Sequence, residues 1–191
     1  MGQTAVRVLG SANRRFLFWE QKQEFRDVAR RFRGKSVHKV DTKGRVSIPA
    51  AFRRVLEEGD PDWRSGENPQ LVIVHGIKEG QCLEGYSITA MEKVDDLISS
   101  LPHFSPEREF YETIMDTDSD YATVDENGRM VVSAALRAKI GVSKEIIFVG
   151  KGETFQMWEP AAYNEELKRI KAWGAAQENP HAMLYGAKQE G

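Results

Sequence analysis

An internal repeat constrains the fold of this chain more than any other feature of its sequence. Residues 40–53 match residues 124–137 at a constant offset of 84 positions. The two copies share a Val, an Asp, a Gly, two alanines and two arginines, and their apolar positions stay apolar. A repeat with this spacing is typical of one supersecondary unit that occurs twice. The sequence therefore predicts two related halves.

The segments after the two copies also correspond. Each copy is followed by an apolar run, a second short apolar run and an amphipathic helix; the runs are 71–74 and 83–86 in the first half, and 146–149 and 155–158 in the second. Thr89 and Glu92 resemble a capping box at the start of the first helix. The predicted apolar faces are Met91, Val94, Leu97, Ile98 and Leu101 in the first helix, and Tyr163, Leu167, Ile170 and Trp173 in the second. Each half thus reads strand, turn, strand, short helix, strand, strand, helix.

The repeated motif itself predicts a tight β-hairpin. Asp41 and Asp125 suit the first position of a turn, because their carboxylates can accept backbone N–H bonds. Gly44 and Gly128 suit the fourth position, where φ is often positive. We expect these four residues to form the two turns.

The predicted fold class is α+β, with the chain divided into five segments. A connecting helix that begins at Ser105-Pro106 joins the halves and carries Phe110, Tyr111, Ile114 and Met115. We predict a leader at 1–27 that is disordered or non-native, a first repeat at 28–104, a connecting helix and linker at 105–119, a second repeat at 120–173 and a flexible tail at 174–191. The leader interleaves aromatic and basic residues, so a membrane-surface helix and a nucleic-acid arm stay open as alternatives.

Charge is distributed unevenly along the chain. The formal net charge is −2, but the stretch from Arg30 to Arg54 holds nine basic residues and one acidic residue, Asp41. This stretch has a local charge of +8 and leaves 18 basic against 28 acidic residues in the rest of the chain. One basic face on an acidic body favours a polyanionic partner, because a polyanion responds to the local field. A solvated charged face is the alternative.

The two hairpins are expected to contribute unequally to such a surface. A tight turn flanked by Lys and Arg directs long cationic side chains outward, where they can meet phosphates or enter a groove. Asp41 and Asp125 can also orient Arg45 and Arg129 through carboxylate–guanidinium pairs. The second copy is less basic, so we expect the first turn to dominate DNA contact and the second to be partly structural.

These residues resemble the MraZ family. Arg31-Phe32-Arg33-Gly34, followed by the Asp-x-x-Gly-Arg motif at 41–45 and by Ile48-Pro49, is similar to the opening of MraZ proteins, and the similarity extends over about 31–173. The first unit also resembles the amino-terminal domain of AbrB-type regulators. The resemblance implies two AbrB-like β-rich repeats that form one intrachain swapped-hairpin, double-psi-like barrel with flanking helices.

The resemblance also implies a function. MraZ-like proteins are transcription regulators that form ring-like homo-oligomers and bind double-stranded DNA at short direct repeats upstream of a division and cell-wall gene cluster. The implied DNA-binding residues are Arg33, Lys35, Lys43, Arg45, Arg53 and Arg129. The AbrB pattern has a basic residue where this chain has His38, so the role of His38 is open. We expect a cytoplasmic, nucleoid-associated protein that does not act on membranes.

Other classes of function find little support in the sequence. Cys82 is a single cysteine, and the histidines at 38, 75, 103 and 181 lack metal-ligand spacing. Asp116, Asp118 and Asp120 alternate as in a cation-binding loop but lack the Gly and distal Glu of an EF-hand. We therefore predict no catalytic residues, cofactor or metal. The rival interpretation is an AbrB-like assembly or antitoxin-like protein-interaction module with incidental DNA binding.

Overall fold

A computed structural model describes residues 31–76, 81–177 and 179–180. All of them belong to the compact unit that begins at Arg31. The predicted leader at 1–27 lies outside the described residues, as do 181–191 of the predicted tail.

The described residues form eight strands and five α-helices. In chain order these are β1 (Lys35–Lys39), β2 (Arg45–Ser47), α1 (Ala50–Glu58), β3 (Gln70–Val74), β4 (Leu83–Ser87), α2 (Ile88–Ser99), α3 (Pro106–Glu112), β5 (Ser119–Thr123), β6 (Arg129–Val131), α4 (Ala134–Lys139), β7 (Glu145–Gly150), β8 (Thr154–Trp158) and α5 (Pro160–Ala175). A π-helical turn, Thr113–Thr117, follows α3. The order strand, strand, helix, strand, strand, helix occurs twice, as the repeat predicts.

The two halves exchange strands. The larger sheet has the order β1-β7-β8-β4-β3-β5, and β2 pairs with β6 in a separate two-stranded sheet. All pairs are antiparallel, and β1 pairs with β7 of the second half while β5 pairs with β3 of the first. Each half therefore supplies its first strand to the other half, and neither completes its own sheet.

An approximate two-fold axis relates the halves. It passes between Val46 and Met130, the central pair of β2 and β6, and between Glu84 and Gln156 on β4 and β8. Glu84 and Gln156 belong to a partly buried chain of polar groups at the junction: Gln156 Nε2 donates to Glu84 Oε1 at 2.5 Å, and Trp158 Nε1 donates to Gln156 Oε1 at 3.1 Å. Tyr86 donates its hydroxyl to Glu84 Oε2 at 2.8 Å.

The larger sheet is the middle of three layers, because its strands alternate between two apolar clusters. Leu71 and Ile73 face the central core, whereas Val72 and Val74 face a second cluster beneath α2 and the connecting helix. The central core contains residues of both halves, and its aromatic centre consists of Phe32, Phe52, Phe148 and Phe155. Cys82 is buried in a third cluster with Trp158 and Tyr163 of the second half.

Some helix details differ from the predictions. The capping box at Thr89 is wrong, since Ser87 caps α2 and its hydroxyl accepts from the Ala90 N–H. The apolar faces are predicted to lie in the core or at an interface, and Leu97 and Trp173 lie on the exposed surface of the chain. Helix α5 continues to Ala175, two residues into the predicted tail. The connecting helix does begin at Pro106, with Ser105 as its N-cap.

The α+β class is confirmed. The described strands form an open six-stranded sheet and a separate two-stranded sheet rather than one closed barrel. The swapped-hairpin barrel stays a prediction.

Candidate nucleic-acid interface

The two-stranded sheet brings the repeated motifs of both halves together. Its register pairs Arg45 with Val131 and Ser47 with Arg129, while Val46 and Met130 turn into the core. Side chains alternate across a strand, so Arg45, Ser47, Arg129 and Val131 share the outer face. The two arginine Cα atoms are about 8 Å apart at standard strand spacings. This outer face, with the turns at 41–44 and 125–128, is called the hairpin face below.

Hydrogen bonds to Asp41 fix the first turn. Its Oδ1 accepts from the backbone N–H groups of Lys43 and Arg45, both at 2.9 Å. Its Oδ2 accepts from Arg45 Nε at 2.7 Å. Gly44 donates its N–H to the Asp41 carbonyl at 2.9 Å and has φ +79, which favours glycine.

The second turn repeats this arrangement. Asp125 Oδ1 accepts from the N–H groups of Asn127 and Arg129 at 2.9 Å. Arg129 Nε donates to Asp125 Oδ2 at 3.1 Å, and Arg129 Nη2 lies 3.0 Å from the same oxygen. Gly128 has φ +70. The four predicted turn residues thus occupy equivalent places.

The same contacts lower the pKa of both carboxyl groups. For Asp41 the largest cause is the backbone hydrogen bond from Arg45, with the Arg45 side chain and the Lys43 N–H adding to it. For Asp125 the largest cause is the backbone hydrogen bond from Arg129. Hydrogen bonds to the charged form stabilise it, so both turns contain ionised carboxylates at neutral pH.

The two turns differ in charge. Residues 41–45 carry one acidic and two basic side chains, whereas 125–129 carry two acidic and one basic. Lys43 is exposed, and its counterpart Asn127 is exposed but uncharged. The positive end of the hairpin face is therefore at the first turn.

Helix arginines lie beneath both turns, each from the opposite half. A Cβ on Gly128 would collide with the guanidinium of Arg53, and a Cβ on Gly44 would collide with that of Arg137. Arg53, a predicted DNA-binding residue, is half-buried here. The sequence analysis does not predict Arg137 as a site residue, although Arg137 matches Arg53 across the repeat.

Arg33 and Lys35 lie apart from this face. Lys35 is the first residue of β1, and Lys39, the last residue, leads to the first turn. At standard strand spacing Lys35 lies about 13 Å from Lys39. Its Nζ lies 5.4 Å from the ring centre of Tyr163. Arg33 lines an open depression of about 420 Å³ with Arg31, Phe32, Gly34, Gly150 and Gly152. The structure brings together Lys43, Arg45, Arg53 and Arg129, but not Arg33 or Lys35.

His38 lies on the inner side of β1. Its Nε2 lies 2.8 Å from the Ser36 hydroxyl, and its ring packs edge-on against Phe148. Burial lowers the pKa of His38, because a charged imidazole is poorly solvated there. His38 is therefore neutral at pH 7.

One cluster of polar groups was not expected. His75 follows β3, and its ring nitrogens lie 3.8 Å from Asp118 Oδ1 and 3.6 Å from Asp120 Oδ2. Lys139 Nζ lies 3.1 Å from His75 Nδ1. Strand pairing between halves makes this cluster, so spacing along the chain could not reveal it. Across the described residues, no group of three His, Cys, Asp or Glu is arranged to hold a metal ion.

No helix within the described ranges is long and apolar enough to cross a membrane. The fold and the hairpin face together define a two-repeat α+β protein in which paired β-hairpins from opposite halves present arginine and lysine on one surface.

Comparisons with known proteins identify the family. Residues 31–111 and 117–183 match the family model described as "MraZ protein, putative antitoxin-like". The chain is 52% identical over 147 residues to the transcriptional regulator MraZ of Ruegeria pomeroyi, covering 76% of this chain and 88% of that protein. It is 53% identical over 153 residues to that of Ruegeria sp. strain TM1040, covering 80% and 91%. A relative from Parvibaculum lavamentivorans with the same name is 36% identical over 157 residues, covering 80% and 93%. The chain belongs to the MraZ family.

Proposed function

We propose that this protein is a sequence-specific, DNA-binding transcription regulator. Its targets are short direct repeats in double-stranded DNA upstream of a division and cell-wall gene cluster, and it acts in the cytoplasm in association with the nucleoid. Its relatives are named transcriptional regulators, which supports the class of function.

The hairpin face is the observation that carries this proposal. It is a two-stranded antiparallel ribbon with Arg45 and Arg129 on its outer side and a lysine, Lys43, on the exposed first turn. A two-stranded β-ribbon fits the DNA major groove, which is about 12 Å wide. Arginines on such a ribbon can reach base edges while a turn lysine meets a phosphate.

The two arginines differ in the charge of the turns that precede them. Both use Nε to hold the turn aspartate, at 2.7 Å for Arg45 and 3.1 Å for Arg129. Arg45 follows a turn with the exposed Lys43, whereas Arg129 follows a turn with Glu126 and Asn127. We therefore assign direct base reading to Arg45 and a larger structural share to Arg129.

A binding titration with fluorescent DNA tests this proposal. The probe is the DNA upstream of the protein's own gene, compared with a scrambled duplex at several salt concentrations. Each phosphate contact contributes about 0.9 to the slope of log affinity against log salt. Lys43→Ala should weaken binding to both duplexes and flatten the slope by about one unit, whereas Arg45→Ala should cost about 1–3 kcal/mol mainly on the specific duplex.

Asn127→Ala is the matched control for Lys43→Ala, because Asn127 is the exposed, uncharged residue at the same place in the second turn. Its slope should equal that of the wild type. Full affinity and full specificity in Arg45→Ala would refute the site assignment. A binding curve insensitive to salt would favour the protein-interaction module instead.

We further propose a ring-like homo-oligomer. The described surface exposes several large apolar side chains near the connecting helix, which is typical of an interaction site; they are Leu97, Phe104, Phe110 and Tyr111. Identical subunits on successive repeats would convert weak single contacts into avidity. Light scattering after size exclusion measures the assembly, and shifting one DNA repeat by half a helical turn should reduce affinity.

We also propose that the two sheets together form one swapped-hairpin barrel. Val40 bridges to Val46 within the first hairpin, so β2 is linked to β1 at one end of the larger sheet. Closure through β2 and β6 would join the two ends of the sheet. A crystal structure in which β2 and β6 lie apart from β1 and β5 would contradict it.

A further inference from the structure

We infer that Arg137, in the second repeat, is a positioning residue for the DNA-binding turn of the first repeat. Its counterpart Arg53 contacts a DNA phosphate instead. This inference rests on the proposed function of the hairpin face. It concerns which residues hold the cationic turn in place, and its evidence lies beneath that turn.

The guanidinium of Arg137 fills the space under the first turn. A Cβ on Gly44 would collide with Arg137 Nη1 and would lie 2.6 Å from the Val132 carbonyl oxygen. Arg137 is half-buried on α4, a helix of the opposite half. The turn that carries Lys43 and Arg45 therefore sits directly on a cation from the other repeat.

A short chain of hydrogen bonds connects the turn to this arginine. The Val132 N–H donates to the Gly44 carbonyl at 2.9 Å. Arg137 Nη1 donates to the Val132 carbonyl at 2.6 Å, which is a short, charge-assisted bond. Val132 thus links Arg137 to Gly44, because its carbonyl accepts from Arg137 and its N–H donates to Gly44. Loss of the Arg137 contact would leave Val132, and with it Gly44, less firmly held.

The second turn lacks part of this support. Ile48 donates its N–H to the Gly128 carbonyl at 3.0 Å, and the guanidinium of Arg53 lies under Gly128. However, Arg53 Nε is buried and has no hydrogen-bond partner among the described residues. Arg137 donates to the protein's own backbone. A phosphate cannot reach the buried Nε of Arg53, but the terminal nitrogens of Arg53 make no hydrogen bond within the described residues, and a phosphate oxygen can accept from them.

This difference predicts two distinct signatures. A phosphate-contacting arginine contributes to counterion release, so its loss flattens the salt dependence by about 0.9. A positioning arginine makes no phosphate contact, so its loss lowers affinity equally at all salt concentrations. The first turn would also open more often in the free protein, because local opening is resisted by the bonds that hold it.

The experiment uses the full chain with Arg137→Met, Arg137→Lys and Arg53→Met. Lys168→Met, at an exposed residue on α5, controls for the loss of one positive charge. Two quantities are measured: amide exchange at Gly44 in the absence of DNA, and DNA affinity over a range of salt concentrations.

We expect Arg137→Met to accelerate Gly44 exchange and to weaken binding about ten-fold with an unchanged salt slope, the effect of one lost charged hydrogen bond. Arg137→Lys should recover part of both, since its ammonium can still donate to Val132. Arg53→Met should flatten the slope by about 0.9 and leave Gly44 exchange unchanged. If Arg137→Met does not fold, intermediate exchange in Arg137→Lys gives the same support.

A flattened slope in Arg137→Met, or unchanged Gly44 exchange in both Arg137 variants, would overturn the inference. Failure of the wild type to bind DNA while Gly44 exchange still depends on Arg137 would refute the proposed function but support the bracing contact. The two failures are therefore distinguishable.

Discussion

Replacing Gly44 of the hairpin face with alanine should cost more folding free energy than the same replacement at another glycine with positive φ. Gly44 has φ +79 and Gly141, after α4, has φ +71. An alanine in this backbone region costs about 1–2 kcal/mol at either place. At Gly141 nothing lies within 4 Å of the added Cβ, so that penalty should be the whole effect.

At Gly44 the added Cβ also meets Arg137 and the Val132 carbonyl. The carbonyl belongs to the backbone and cannot swing away as a side-chain end could. Displacing the bond between these two groups adds about 1.5–3 kcal/mol, the range for hydrogen bonds to charged groups. Gly44→Ala should therefore lose about 2.5–5 kcal/mol in total, adding the conformational penalty to this bond.

Gly128→Ala should fall between these two variants. The three atoms nearest its Cβ belong to the Arg53 side chain, which can move aside. Urea unfolding followed by tryptophan fluorescence measures all three variants. The extra loss in Gly44→Ala relative to Gly141→Ala corresponds to a further decrease in Tm of roughly 3–12 °C for a domain of this size. Equal losses in the two variants would show that the space beneath the first turn is not filled as described.

Three further predictions concern titration and the junction of the halves. Because folding lowers the pKa values of Asp41 and Asp125, their stabilising contribution is present above about pH 3.8 and is lost as pH falls through the lower folded values; the double Asn variant should lose this acid dependence in a circular-dichroism titration. His38 is neutral at pH 7, so His38→Gln should leave the salt slope of DNA binding unchanged, and a slope lower by about 0.9 would show a phosphate contact. Glu84→Ala removes the acceptor for Gln156 Nε2 and should cost about 1–3 kcal/mol in urea unfolding, whereas a neutral effect would mean that water replaces the carboxylate.

The sequence predicted the elements well because the repeat and the turn chemistry are local properties. The Asp-x-x-Gly-Arg motif specifies a turn through bonds within five residues, and both turns adopt it. The sequence predicts Thr89 as the cap of α2, whereas Ser87 at the end of β4 is the cap. Spacing alone cannot tell which hydroxyl reaches a free N–H. Leu97 fits the apolar periodicity of α2 but is exposed. The periodicity shows which residues share a helix face, but it does not show whether another element packs on that face.

Contacts between the halves could not be predicted in this way. Arg33 is close in sequence to Lys43 but lies beyond the far end of β1. Arg137 is distant in sequence but lies under Gly44, and His75 meets Asp118 through the pairing of β3 with β5. These contacts depend on the exchange of strands between the two halves. The spacing of residues within one half does not show which residues of the other half they meet.

The approximate symmetry of the backbone has a consequence for orientation. A reading surface with two identical arms would accept a site equally well in either direction, as palindromic operators require. Here the backbones of the two hairpins match, but the first turn carries Lys43 and the second carries Glu126 and Asn127. Under the proposed function each subunit therefore binds the duplex in one preferred direction. A row of such subunits facing the same way would suit sites that recur without inversion.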